Sequence, residues 1–133
     1  MIADVNGLNI VDSSGWIEYF TDGPNAGRFA GPLSDPGRLV VPTVTVYEVF
    51  RVVLRRRGET DALSAAAAMS HGQEIPLTGA LALEAARLAH RMSLAMADGI
   101  ILATARLTAA TLWTQDADFE GLANVRYIPR LPV

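Results

Sequence analysis

Five carboxylates are set where chemistry could use them. Asp12 closes the apolar run LNIVD, and Glu48 lies one turn into a helical stretch that follows a short apolar run. Asp98 opens another helical stretch after SLAMA, and Asp116 and Asp118 follow TLWT in the segment QDADF. Gathered in one place, such acids can hold one or two divalent ions. Two ions about 4 Å apart can activate a water and stabilise the charge that builds up when a phosphodiester is cleaved. Unneutralised carboxylates repel one another, so their convergence would be costly without a cation.

Each acid also has a plainer explanation. Asp12 or Ser13 can N-cap a helix. Thr45-Val46-Tyr47-Glu48 reads as a capping box. Asp98 suits a first helical turn, and Asp116 and Asp118 suit Asx turns. Glu18 and the remaining acids read as solvated surface or caps.

Composition narrows the choices. The chain has 133 residues, half of them hydrophobic, which suits a single domain over residues 1–133 with a real core. Residues 1–7 read as a short N-terminal extension. With no cysteine, thiolate metal sites and a cysteine nucleophile are excluded. His71 and His90 stand apart, so any metal is expected to be bound through oxygen, as magnesium, manganese or calcium are. The net charge is −3, and all 11 basic residues are arginine, which argues against a passive nucleic-acid binder. The N-terminus lacks the positive start of a secretory signal, and no apolar run approaches the roughly 20 residues of a membrane span. The expected location is cytoplasmic, with no membrane partner.

Periodicity supplies the frame. Strands are expected at 8–12, 39–41, 74–77, 111–114 and 125–128. Helices are expected over 13–20, 45–57, 60–70, from a Thr78 cap to Met92, and from about Ala97 or Asp98 to Leu107. The Gly- and Pro-rich stretches TDGPNAG and GPLSDPG read as loop. Strands alternating with helices predict an α/β fold: a three-layer α/β/α sandwich around a mostly parallel sheet. In such folds ligands bind beyond the carboxyl ends of the strands, which is where Asp12 and Asp116 are expected.

The local patterns go further. IVDSSGWIEYF (10–20) resembles the first motif of PIN-domain ribonucleases, and VPTVTVYEVFRVVLRR (41–56) resembles their second. MADGIILATARLTAATLWTQDADFEGL (96–122) resembles the third and fourth, with an aspartate before IILATA and a strand ending in T-x-D-x-DF. The order and spacing are similar to those of the VapC toxins of toxin–antitoxin pairs, over nearly the whole chain.

This resemblance implies a magnesium- or manganese-dependent endoribonuclease that cuts RNA, such as transfer or ribosomal RNA, with metal-activated water. Its implied products are a 5′-phosphate and a 3′-hydroxyl. It implies Asp12, Glu48, Asp98 and Asp116 as the acidic core. Asp12, Asp98, Asp116 and Asp118 would be metal ligands, with Ser13 and Thr114 orienting the acids. For Ser13 and Thr114, plain cap and strand-end roles stand equally open. The resemblance also implies a cognate VapB-like antitoxin as inhibitor, and a homodimer.

Two other readings remain. One is a metal-dependent phosphohydrolase of another Rossmann-like family, against which the absence of a DxDx pair after the first strand weighs. The other is a non-catalytic PIN-like interaction module. Arg51, Arg55, Arg56 and Arg57 read either as a rim for RNA phosphates or as a solvated helix end.

Overall fold

The computed structural model describes residues 7–132. The expected N-terminal extension, apart from Gly7, lies outside the described residues.

Among the described residues five short strands form: β1 (Asn9–Val11), β2 (Val40–Pro42), β3 (Gln73–Ile75), β4 (Thr111–Thr114) and β5 (Val125–Tyr127). Six helices lie between them: α1 (Ser13–Phe20), α2 (Ala26–Leu33), α3 (Thr43–Arg57), α4 (Glu59–Met69), α5 (Gly79–Met92) and α6 (Met96–Thr108). All strand pairings are parallel. β1, β4 and β5 form one ladder and β2 and β3 another, and a parallel bridge between Asn9 and Leu39 joins them. The strand order is therefore β3-β2-β1-β4-β5. The order reverses between β1 and β4, and that crevice is where open α/β sheets bind ligands.

Adjacent strand residues point to opposite faces, and both faces are buried. Ile10, Val40 and Leu112 pack with Leu81, Ala85 and Leu88 of α5 and Ile101 and Leu102 of α6. Val11, Val41 and Ile128 pack on the other side with Trp16, Phe29, Val49, Val53, Ala65 and Met69, which come from α1, α2, α3 and α4. The result is the expected three-layer sandwich. Among the described residues no helix is long and apolar enough to cross a membrane.

Three expectations need correction. The segment read as loop contains α2, and Phe29, fully buried, anchors that helix to the core. The expected strand at 74–77 runs from Gln73 to Ile75. The capping box at Thr45 does not form: α3 already starts at Thr43, with Pro42 at the N-cap, and Thr45 is buried inside the first turn. Thr78, by contrast, caps α5 as expected, accepting from the Leu81 amide at 3.2 Å.

Close packing of α6 on α5 depends on Gly99. A methyl group there would stand 2.9 Å from the Ala85 carbonyl oxygen and 3.0 Å from the Ala89 Cβ. At its other end, α6 stops at Ala109, which adopts a left-handed conformation (φ 55) that glycine normally fills. Ala109→Gly is therefore expected to raise stability in urea unfolding by roughly 1 kcal/mol, whereas Gly99→Ala should lower it by about 1–3 kcal/mol. A glycine at position 109 that gives no gain would show that the turn is not strained.

Candidate functional site

The site begins at the carboxyl end of β1. Asp12 N-caps α1: its Oδ1 accepts from the Gly15 amide at 3.0 Å and from the Ser14 hydroxyl at 2.7 Å. The turn is tight because position 15 holds glycine. A Cβ there would lie 2.6 Å from a Val11 methyl and 2.7 Å from the Phe29 ring. Asp12 is only 3% exposed.

The neighbouring strand end is tied to it by one hydroxyl. Thr114, at the end of β4, donates to Asp12 Oδ2 at 2.6 Å and accepts from the Asp116 amide at 2.8 Å. Ser14 makes a second tie, accepting from the Gln115 amide at 3.2 Å. Adjacent serines thus serve different acids: Ser14 bonds Asp12, and Ser13 donates to Glu48 Oε1 on α3.

Asp98 enters from the first turn of α6, where the helix N-terminus favours an anion. Asp116 caps the short 3-10 turn Ala117–Phe119 by accepting from the Asp118 amide at 2.9 Å. One oxygen from each of Asp98, Asp116 and Asp118 lies within 4.8 Å of the others. These three come directly together. Asp12 and Glu48 are near enough to act on Asp98 by charge, with both Asp12 oxygens and one Glu48 oxygen already accepting hydrogen bonds.

The electrostatics follow from this crowding. Asp98, half-buried, has its pKa pushed up from 3.8 to about 7. Desolvation is the largest cause, followed by the charges of Asp116, Asp12 and Glu48 and a hydrogen bond with Asp116. Burial also raises Asp12, opposed by its bonds from Ser14, Thr114 and Gly15. Among the described residues no salt bridge relieves the crowding. The salt bridges among the described residues, Arg38–Asp35 and Arg87–Glu84, involve other acids. Oxygen donors at this spacing, unneutralised and without nitrogen or sulfur ligands, fit a hard divalent ion such as magnesium or manganese.

Several outcomes differ from the plain reading of single residues. Glu48 has no capping partner in Thr45, whose hydroxyl is buried without a protein partner, and it faces Ser13 instead. Glu18 is more than solvated surface, since it accepts from the Asn25 amide at 2.6 Å. Ser14, Gln115 and Asn25 were not singled out by sequence, and only the SS doublet after Asp12 gave any signal. Arg51, Arg55, Arg56 and Arg57 are exposed on α3, and Arg57 donates to the Thr21 carbonyl at 3.3 Å. Trp16 is core, stacked on Phe20 with ring centroids 5.6 Å apart.

Crowded acids make stability depend on pH. The folded protein keeps the Asp98 proton up to about pH 7, whereas an ordinary carboxyl loses it near 3.8. This group's contribution is therefore full below pH 4 and is lost as pH rises to 7, because the native state is then the one holding the extra proton. In chelator, the melting temperature of the wild type should fall more steeply between pH 4.5 and 7.5 than that of Asp98→Asn. Parallel curves would mean that Asp98 titrates normally.

A family model described as PIN domain matches residues 10–125. None of the curated protein sequences matches. Among solved structures, a toxin–antitoxin complex from Klebsiella pneumoniae is similar at 23% identity and a TM-score of 0.76, covering 92% of this chain and 99% of that one. Mycobacterium tuberculosis VapC20, described as a sarcin-ricin loop cleaving toxin, is similar at 21% identity and a TM-score of 0.74, covering 88% and 98%. VapBC2 from Rickettsia felis, bound to a promoter DNA fragment, is similar at 12% identity and a TM-score of 0.69, covering 92% and 98%. At these identities the likeness establishes the shared fold.

Proposed function

The chain belongs to the PIN domain family, and from that membership we propose that it is a single-domain, magnesium- or manganese-dependent endoribonuclease of the VapC toxin type. The observation that carries this reading is the meeting of Asp98, Asp116 and Asp118 within 4.8 Å, with no salt bridge to them among the described residues. We assign RNA as the substrate, the cytoplasm as the place of action and a VapB-like antitoxin as the inhibitor. The structural neighbours include toxin–antitoxin complexes and a sarcin-ricin loop cleaving toxin, which supports a toxin of this type with an antitoxin partner.

Asp12, Asp98, Asp116 and Asp118 are the residues that would hold the ion; the last three meet directly, and the charge of Asp12 reaches Asp98. A bound divalent ion supplies positive charge that acidifies water and stabilises the pentavalent phosphate. Asp12, fixed by three hydrogen bonds, keeps Thr114 in place and with it the start of the Asp116 turn. Glu48, with one oxygen held by Ser13, has its other oxygen left to orient a water for in-line attack on phosphorus. The Asp98 proton, retained near neutral pH, would be released to solvent if an ion were held there. An antitoxin arginine inserted among these acids would form charge-assisted bonds and exclude the metal. A homodimer is the proposed assembly.

The phosphohydrolase reading loses ground at Asp12. A nucleophilic aspartate must be reached by its substrate, and Asp12 is buried with both oxygens accepting hydrogen bonds.

Incubating the purified chain with transfer and ribosomal RNA, with magnesium or with chelator, tests the proposal. The expected result is magnesium-dependent cleavage leaving 5′-phosphate and 3′-hydroxyl ends. Asp116→Asn should lower the rate by more than about 100-fold while keeping the fold by circular dichroism. Cleavage that persists in chelator, or ends carrying a 2′,3′-cyclic phosphate, would refute the mechanism.

A further inference from the structure

The residue between Thr114 and Asp116 is built into the interior. Gln115 is 2% exposed, and its Oε1 accepts from Asn25 Nδ2 at 2.7 Å. Asn25 is fully buried, although it lies at the start of α2 in a stretch rich in glycine and proline. Its Nδ2 also donates to the Pro129 carbonyl at 2.9 Å, and its own amide donates to Glu18 Oε2 at 2.6 Å. Asn25 therefore joins α1, α2, the end of β4 and the segment after β5.

Two features mark this pair as more than filler. Asparagine is among the best helix N-caps, yet Asn25 at the N-cap of α2 makes no side-chain cap bond, because its side chain is turned inward to Gln115. The pair also leaves Asn25 Oδ1 and Gln115 Nε2 buried without protein partners. Buried amides with unused capacity are costly, and an apolar pair would fill the space more cheaply. Hydrogen bonds offer direction in return, which apolar packing lacks. The direction at issue is that of the chain leaving β4 toward Asp116 and Asp118.

We propose that Asn25 is a positioning residue. Its buried bond to Gln115, with the Ser14 bond to the Gln115 amide, sets the path of the turn that aims the Asp116 and Asp118 carboxylates. This rests on the reading of Asp98, Asp116 and Asp118 as an ion site, but the path of the turn can be measured without metal.

The test uses Asn25→Leu, Gln115→Met and the double variant. In metal-free protein, hydrogen exchange of the Asp116 amide, which is bonded to Thr114, is compared with that of the Leu112 amide within β4. Binding of Mn2+ is followed by electron paramagnetic resonance. In each single variant, Asp116 exchange should quicken about tenfold relative to Leu112, and Mn2+ affinity should fall by about 10- to 100-fold. The double variant should regain part of the urea stability that a single change loses, since Asn25 and Gln115 are both gone while the Pro129 carbonyl stays without its donor, yet recover neither Asp116 protection nor Mn2+ affinity. If Asn25→Leu fails to fold, Gln115→Met and the double variant decide by the same measurements. Unchanged relative exchange at Asp116, or a double variant restored in exchange and Mn2+ binding, would overturn the positioning role. A wild type that binds no Mn2+ would sink the ion-site reading, and the exchange ratio would still decide whether Asn25 directs the turn.

Discussion

Mutual repulsion among carboxylates is the constraint around which this fold is arranged. Burial is the largest influence on Asp98, the charges of Asp116, Asp12 and Glu48 add to it, and together they push its pKa up to about 7. Such a cluster does not hold itself together. It needs rigid elements that arrive from different parts of the chain and cannot retreat. The sheet provides two of them, β1 and β4, side by side with Val11 opposite Trp113. The helices α3 and α6 bring the other two sides, and Gly99 lets α6 settle close against α5.

Small hydroxyl groups do the fine placement. Thr114 reads both strand ends with one oxygen, donating to Asp12 and accepting from the Asp116 amide. Ser14 repeats the link one residue on, through the Gln115 amide. These bonds partly offset the burial of Asp12 by solvating its charged form, and so oppose the upward drift of its pKa. Their partners lie about a hundred residues apart in sequence, so they also pin the strand pairing that creates the crevice.

Much of this was legible beforehand, for physical reasons. Strands buried on both faces must be continuously apolar, so NIV and VV announced themselves. Long amphipathic helices such as α5 carry a periodic pattern and a Thr78 cap. The acids were legible because they follow strands or open helices. What was missed had a weak local signal. α2 contains Gly27, Gly31 and Pro32, and its stability comes from burying Phe29 and Pro32, which is a tertiary fact. The Thr45–Glu48 capping box fitted the motif but not the frame, because the helix begins two residues before Thr45. Asn25 looked like a turn residue in TDGPNAG, since nothing in a loop-like composition announces that one amide is fully buried.

The strand order has a temporal consequence. β4 inserts beside β1, yet it is made some hundred residues later, after α6. While a ribosome is still extending the chain, Asp12, Glu48 and then Asp98 emerge without the two acids that complete the cluster. Thr114, which fastens Asp12, is also still missing. A nascent or prematurely terminated product ending before β4 therefore lacks both the crevice and its last two carboxylates. The architecture delays assembly of the acidic pocket until β4 and the turn after it have been made.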